Sequence, residues 1–287
     1  MAATLQTNTT TLKEKRQLFI TDLDHTLLKS NQSISNFTTT VWNSLSLNAL
    51  LGVATARSFH KVQEFLQNLR LNSPLILLDG AMITTPKKEI IALYTIDKAL
   101  GDSVIEQGVK LGIYPFVVGL NKDNFNEIFW YPKICNEHQK CVLDGYKNDP
   151  RLALKNPIEA MESTLKIVYF GSYELLSVLT KHLKAQFANT LEYKLSPEKY
   201  YNGWFLTILH PMGDKSHAIK TVASYIDLPI ENITVFGDSI NDIGMFGCAG
   251  KSVAVANALD EVKEAASEVL PHTNDQDGVA HYLARFL

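Results

Sequence analysis

Short apolar runs that stop abruptly at polar residues recur in the first and last thirds of the chain. They lie at Leu18–Leu23, Leu50–Ala54, Leu75–Leu78, Ile233–Phe236 and Ser252–Ala256. Runs that are apolar on both faces are typical of buried strands in a parallel sheet. Apolar residues at helical spacing predict amphipathic helices over residues 59–69 and 218–226. Strands that alternate with such helices predict an α/β fold with a doubly wound parallel sheet.

The middle of the chain, from about Lys87 to Phe205, has a different pattern. Its candidate strands are Phe116–Leu120, Glu127–Tyr131, Lys166–Phe170 and Trp204–Leu209, and a helix is predicted over residues 173–183. None of these strands ends in an acidic cluster. We therefore predict a core formed by residues 1–86 and 206–287, with an α+β domain, residues 87–205, inserted between its two halves. A length of 287 residues is consistent with two domains.

Asp22 and Asp24 follow the first apolar run. Residues two apart on a strand point to the same side, so both carboxylates are expected to face one small volume. Such a pair favours a bound cation or one raised pKa, and both outcomes suit phosphoryl transfer. An acidic pair that only caps a strand or a turn is the alternative, and the pair alone does not decide between them.

A second polar cluster, residues 237–242, follows the strand predicted at Ile233–Phe236. Asp238, Asn241 and Asp242 supply oxygen ligands of the kind that Mg²⁺ prefers. The same residue types also form helix N-caps and turns, so a purely structural role remains open at this point.

Two further candidates stand at helix starts. Lys215 could neutralise phosphate charge, although most lysines are solvated surface residues. Thr55 and Ala56 follow a predicted strand and could bind phosphate through a hydroxyl and backbone N–H groups. Ser58, just beyond them, is a candidate N-cap, which is compatible with that role. Arg57 could form a salt bridge or reach a substrate, and the sequence does not decide which.

Composition narrows the choice of partners. The net charge is −3 and the basic residues are scattered, so neither nucleic acid nor an acidic membrane is expected as a partner. No apolar run approaches the roughly 18 residues that span a bilayer. Three cysteines do not form a disulfide framework, which favours the reducing cytoplasm. The threonine-rich residues 1–11 lack the apolar segment of a secretory signal and are predicted to be a short disordered tail.

Cys135, His138 and Cys141 raise the question of a zinc site. The segment has no evident fourth ligand, and it lacks the paired CxxC spacing of structural zinc sites. A loop or strand without a metal is therefore the favoured interpretation.

Taken in order, the polar clusters resemble the motifs of the haloacid dehalogenase-like hydrolase superfamily, in particular its Cof-type phosphatases with an inserted C2 (type IIB) cap. Residues 22–28 (DLDHTLL) resemble the first motif, residues 54–57 (ATAR) the second, residues 213–216 (GDKS) the third and residues 237–242 (GDSIND) the fourth. Residues 274–280 resemble the closing segment of the family. The resemblance covers nearly the whole chain. It implies a Rossmann-like core with an inserted α+β cap.

The resemblance also implies a role for each residue. Asp22 is expected to be the nucleophile and Asp24 the general acid and base. The implied phosphate-binding residues are Thr55, Ala56, Lys215 and Asn241. The implied Mg²⁺ ligands are Asp22, Asp24 (through its backbone carbonyl), Asp238 and Asp242.

The implied reaction is Mg²⁺-dependent hydrolysis of a small phosphomonoester, with a sugar phosphate favoured, through an aspartyl phosphate. A phosphomutase and a non-catalytic sensor of a phosphorylated ligand remain alternatives. The oligomeric state has no signature in the sequence.

Three positions depart from the pattern of the family. His25 and Ala56 stand where glycine is common, and Asp79 replaces the commoner asparagine. Histidine suits its position if the backbone there does not require a positive φ. The additional charge of Asp79 is expected to repel a second anionic group on a substrate.

Overall fold

The computed structural model describes residues 16–121, 125–198 and 203–287. The tail predicted at residues 1–11 lies outside these ranges. The strands are β1 (Leu18–Thr21), β2 (Leu50–Val53), β3 (Leu75–Leu77), β4 (Met82–Thr84), β5 (Ile90–Leu93), β6 (Phe116–Leu120), β7 (Glu127–Pro132), β8 (Leu152–Lys155), β9 (Thr164–Gly171), β10 (Glu192–Glu198), β11 (Gly203–Leu209), β12 (Ile233–Gly237), β13 (Lys251–Ala254) and β14 (Glu268–Val269). The α-helices are α1 (Asn36–Leu45), α2 (Phe59–Leu66), α3 (Lys98–Lys110), α4 (Glu137–Gly145), α5 (Tyr173–Phe187), α6 (Lys215–Tyr225), α7 (Ile243–Phe246), α8 (Asp260–Ala265) and α9 (Gly278–Leu283).

The chain divides into two compact units. The first unit contains the residues up to Ala92 together with Lys215–Leu287, and the second is Leu93–Asp214. The division predicted after residues 86 and 205 therefore needs correction at both points. β11 pairs with β10 along its whole length, so a boundary after residue 205 would cut through a strand. At the other end, β5 belongs to a sheet with β3 and β4, which keeps the chain in the first unit as far as Ala92.

A parallel sheet with strand order β14-β13-β12-β1-β2 forms the centre of the first unit. All four residues of β1 and of β2 are buried, which explains why neither strand contains a charged residue. Thr21 at the end of β1 is in register with Phe236 of β12 and with Val53 of β2. The carboxyl ends of these three strands therefore lie side by side, at the edge where ligands of such sheets bind.

β3 departs from the predicted pattern. Its link to β2 is one parallel bridge between Ala54 and Ile76, and it forms an antiparallel hairpin with β4. The turn of this hairpin contains three consecutive residues with positive φ, namely Leu78 (50°), Asp79 (66°) and Gly80 (119°). Aspartate and glycine tolerate such angles better than most residues, so the predicted Asp79–Gly80 turn forms for a local steric reason.

The second unit is an α+β domain with a six-stranded sheet of order β10-β11-β9-β6-β7-β8. Ile167 and Tyr169 of β9 contribute to a core that also contains residues of α3 and α5. Val168 and Phe170 alternate with them and pack with Val142 of α4 instead. The sheet is therefore covered by helices on both faces, as the period of two along β9 requires.

The segment weighed as a zinc site belongs largely to α4, so the expectation of a loop or strand was wrong. A capping box explains the helix, because the Asn136 side chain accepts from the Gln139 N–H and the Gln139 side chain accepts from the Asn136 N–H. Among the described residues, Cys135, His138 and Cys141 form no group with metal-ligand spacing. No described helix combines the length and the apolar character needed to cross a membrane.

Candidate active site

Asp22 lies directly after β1. Its N–H donates to the carbonyl oxygen of Phe236 at 2.9 Å, which fixes it beside β12. The chain then enters a tight turn over Leu23–Leu27, closed by a 2.8 Å hydrogen bond from the Leu28 N–H to the Leu23 carbonyl. Asp22 and Asp24 therefore do not share a strand as predicted, because β1 ends at Thr21. Their carboxylates contact different partners.

Lys215 is the first residue of α6, and its side chain is fully buried. Its Nζ lies 2.6 Å from Asp22 Oδ1 and 2.7 Å from Asp242 Oδ1. This geometry excludes the interpretation of Lys215 as a solvated surface residue. A buried ammonium group requires such partners, because an unpaired charge in the interior is costly.

Asp242 combines the two roles that the sequence left open. Its Oδ2 accepts from the N–H groups of Asp238 and Ser239, both at 3.0 Å, and so caps the turn after β12. Its Oδ1 contacts Lys215. A Cβ on Gly237 would lie 2.5 Å from Cβ of Asp242, so only glycine allows the carboxylate to fold back against the strand end.

Asp22, Asp238 and Asp242 form a buried group of possible metal ligands. Each offers a carboxylate oxygen, and these three oxygens lie within 4.8 Å of one another. The Thr26 hydroxyl donates to Asp238 Oδ1 at 3.0 Å and so orients that carboxylate. Hard oxygen donors of this kind fit Mg²⁺. The Asp24 carboxylate is not part of the group.

The charges of this group are unbalanced. Burial raises the pKa of Asp22 well above its ordinary value; Lys215 opposes this increase, whereas Asp242, Asp238 and Asp24 add to it. Burial disfavours the charged form of Lys215, but Asp22 and Asp242 outweigh it and raise the pKa of the ammonium group. Carboxylates thus outnumber the ammonium group that neutralises them, which favours the binding of a further cation.

Arg57 holds the Asp24 carboxylate with both arms of its guanidinium group. Nε lies 2.7 Å from Oδ2 and Nη2 lies 2.5 Å from Oδ1, and the guanidinium carbon lies 4.3 Å from the ring centroid of Phe65. The Arg57 N–H donates to the Thr55 hydroxyl at 3.1 Å. The sequence left Arg57 undecided. Its position two residues after the candidate phosphate-binding threonine was the available signal.

Thr55 and Asn241 are linked through Asp79. The Asp79 N–H donates to the Thr55 carbonyl oxygen at 3.0 Å, and Asp79 Oδ1 lies 3.5 Å from Asn241 Nδ2. In the segment that follows β2, Thr55 is buried and the next residue, Ala56, is exposed. The structure therefore gathers every candidate residue around the carboxyl ends of β1, β2 and β12.

His25 adopts a positive φ of 59°, so the condition under which histidine would suit this position is not met. Asn257 Nδ2 donates to the His25 carbonyl oxygen at 2.8 Å and stabilises the turn. The left-handed region explains why glycine is common at this position in the family that the sequence resembles.

Comparisons with known proteins agree with this geometry. The haloacid dehalogenase-like hydrolase family matches residues 19–283. A 5-amino-6-(5-phospho-D-ribitylamino)uracil phosphatase from Bacillus subtilis is 23% identical over 96% of this chain and 99% of its own.

Two solved structures share the fold. A haloacid dehalogenase-like hydrolase from B. subtilis superposes with a TM-score of 0.77 at 23% identity, over 94% of this chain and 100% of its own. A subclass IIB sugar phosphatase superposes with a TM-score of 0.71 at 18% identity, over 94% and 98%. The match of nearly the whole chain to the family identifies the protein: it belongs to the haloacid dehalogenase-like hydrolases.

Proposed function

We propose that the protein is a Mg²⁺-dependent phosphatase that hydrolyses a small phosphomonoester through a phosphorylated Asp22. The observation that carries the proposal is the buried group of Asp22, Asp238 and Asp242 with the Lys215 ammonium between two of its members. A carboxylate nucleophile, an adjacent cation and a set of metal ligands are the parts that phosphoryl transfer requires. The phosphatase activity of the relative from B. subtilis supports the same reaction class.

Asp22 acts as the nucleophile in this proposal. One of its oxygens forms a bond to phosphorus as the bond to the ester oxygen breaks. Lys215, Thr55, Asn241 and the backbone at Ala56 bind the phosphoryl oxygens and compensate their charge. Mg²⁺ held by Asp22, Asp238, Asp242 and the Asp24 carbonyl supplies charge neutralisation.

Asp24 transfers the protons. It protonates the departing alcohol and then removes a proton from the water that attacks the aspartyl phosphate, which restores the Asp22 carboxylate and releases phosphate. The fork of Arg57 occupies both Asp24 oxygens, so Arg57 fixes the orientation of this carboxylate. Proton transfer then requires that at least one of these two hydrogen bonds be exchanged for one to substrate or water.

A sugar or sugar-alcohol phosphate in the cytoplasm is the proposed substrate class. Support comes from two proteins that this chain is similar to, namely a subclass IIB sugar phosphatase and a phosphatase named for a phosphoribityl compound.

Phosphate release from a panel of sugar, nucleotide and cofactor monoesters tests the proposal. We expect turnover with Mg²⁺, its loss with EDTA, and a loss of at least about a thousandfold in kcat for Asp22→Asn. Asp260→Asn, an exposed position, is the matched control and should retain full activity. Full activity of Asp22→Asn would contradict the mechanism, and a requirement for a sugar bisphosphate activator would indicate a phosphomutase instead.

A further inference from the structure

Asp79 brings an additional carboxylate to the proposed phosphate site. The residue is only 6% exposed, and its φ of 66° places it in the left-handed region within the β3–β4 turn. Its N–H donates to the Thr55 carbonyl, and the neighbouring Leu78 N–H donates to the Arg57 carbonyl at 3.1 Å. Two backbone hydrogen bonds therefore attach this turn to the Thr55–Arg57 loop and fix the position of Asp79.

The side chain of Asp79 is directed toward the fourth-motif residues. Its Oδ1 lies 3.5 Å from Asn241 Nδ2, and Asn241 directly precedes Asp242 of the metal-ligand group. The carboxylate is thus one side chain away from two of the residues proposed to bind the phosphoryl group, Thr55 and Asn241. The charge of Asp79 therefore acts on the part of the substrate that is esterified to the phosphoryl group.

The Asp79 carboxylate adds to a site that already contains several negative charges. Five carboxylates stand at the site, those of Asp22, Asp24, Asp79, Asp238 and Asp242. Lys215 contacts two of them, Asp22 and Asp242, and Arg57 contacts Asp24. With these seven groups ionised, their negative charge exceeds their positive charge even after a divalent cation binds and before a phosphate dianion arrives. A further anionic group on the same ligand would enter a site that is already negative.

We propose that Asp79 is a specificity-determining residue that selects phosphate esters whose leaving group is neutral or cationic. Esters that carry a second phosphate or a carboxylate are disfavoured by its charge. This inference rests on the proposed phosphatase function and narrows its substrate class. Aspartate and asparagine have the same shape, so the selection comes from charge alone.

The size of the effect follows from Coulomb's law. At about 8 Å and an effective permittivity of about 20, one unit charge changes the energy of a second anionic group enough for a preference of at least about tenfold. Because Asp79 is largely buried, salt screens this repulsion less than it screens a surface pair.

Asp79→Asn tests the inference, since asparagine also tolerates positive φ and its amide oxygen can still accept from Asn241. Two pairs of open-chain substrates differ by a carboxylate in place of a CH2OH group: glucitol 6-phosphate with 6-phosphogluconate, and glycerol 3-phosphate with 3-phosphoglycerate. Each compound is assayed as a substrate and as a competitive inhibitor of p-nitrophenyl phosphate hydrolysis. Asp227→Asn is the control, because Asp227 is exposed and also has a positive φ of 53°.

We expect the wild type and Asp227→Asn to prefer the neutral member of each pair by about tenfold or more in kcat/KM and in inhibition constant. Asp79→Asn should reduce this preference about tenfold, mainly through KM or the inhibition constant for the anionic member. An unchanged preference in Asp79→Asn, or none in the wild type, overturns the inference while phosphatase activity persists. Absence of phosphate release from every ester contradicts the proposed function itself.

Discussion

Each unit of the protein buries a cluster of charged side chains, and the two clusters are built differently. In the first unit, Lys215 contacts one oxygen each of Asp22 and Asp242. In the second, Arg151 forms two hydrogen bonds to Asp149 and one to Glu127 at 3.3 Å, and all three side chains are less than a tenth exposed.

The difference lies in how completely the cation satisfies the carboxylates. The planar fork of Arg151 covers both oxygens of Asp149, and its guanidinium carbon lies 4.6 Å from the ring centroid of Phe129. Lysine is a point charge, so Asp22, Asp238 and Asp242 still direct oxygens toward a common volume. Among the described residues the second cluster forms no such group. Buried charge alone is therefore a poor indicator of a functional site. An excess of carboxylate oxygens over hydrogen-bond donors is a better indicator.

The largest expected effect comes from removing each cation. Lys215→Met and Arg151→Met both leave carboxylates buried without their cation, which should lower the free energy of unfolding by roughly 3–5 kcal/mol. Only Lys215→Met should abolish phosphate release, because the cluster of Arg151, Asp149 and Glu127 contains none of the candidate active-site residues. Urea unfolding and phosphate release of both variants measure the two effects.

The effect of added Mg²⁺ on stability provides a second test of the difference between the two clusters. In the proposed function Mg²⁺ binds the carboxylates of the first cluster. Its addition should therefore narrow the stability gap between the wild type and Lys215→Met, but leave unchanged the gap between the wild type and Arg151→Met, whose first cluster is intact. Equal rescue of both variants, or equal loss of activity, would contradict the assignment of different roles to the two clusters.

A smaller effect is expected from pH. The pKa of Asp22 is raised in the folded protein by burial, with neighbouring carboxylates adding to the shift against Lys215. Between the unfolded pKa near 4 and this raised value, the folded state holds a proton that the unfolded state has released. Stability of the metal-free protein therefore falls as pH rises through this window, by up to about 1.4 kcal/mol per pH unit.

The proposed Mg²⁺ site requires ionised carboxylates, so the increase in Tm caused by Mg²⁺ should grow across the same window. Thermal unfolding from pH 4.5 to 8, with and without Mg²⁺, measures this change. Asp22→Asn is the control and should lose most of the pH dependence. For Arg151, burial lowers the pKa, but the hydrogen bonds and charges of Asp149 and Glu127 outweigh burial and raise it. The second cluster therefore does not make the stability fall as the pH rises through this window. A Tm increase that is independent of pH in the wild type would contradict the raised pKa.

Local pattern sufficed to predict the parallel sheet and the edge at which the candidate residues meet. Apolar runs such as Leu18–Thr21 can be buried on both faces only in such a sheet, and the residue after each strand then lies at a shared edge. Asp22 and Asp238 each directly follow such a strand, which explains why they lie close together. Their roles as nucleophile and metal ligand remain predictions.

Other features depend on contacts between distant residues, which no local pattern encodes. The ion pair of Asp24 with Arg57 joins residues 33 positions apart, and the burial of Lys215 follows from contacts with Asp22 and Asp242. The limits of the second unit were also misjudged, because the pairing of β11 with β9 and β10 is decided by the sheet and not by the sequence of β11. The positive φ of His25 likewise comes from the turn that follows β1.

The smallest expected effect compares backbone strain in the two units. His25 in the first unit and the exposed Asn148 in the second both have positive φ, 59° and 70°. Asparagine tolerates this region and histidine does so less well, so His25→Gly should raise the free energy of unfolding by about 1 kcal/mol and Asn148→Gly by a few tenths at most. His25→Ala removes the ring and keeps Cβ, so it should be less stable than His25→Gly. Urea midpoints at constant m-value measure all three changes. If His25→Gly and His25→Ala were destabilised alike, packing of the histidine ring rather than backbone strain would determine the stability at residue 25. The turn that contains His25 would then be no more strained than the turn that contains Asn148.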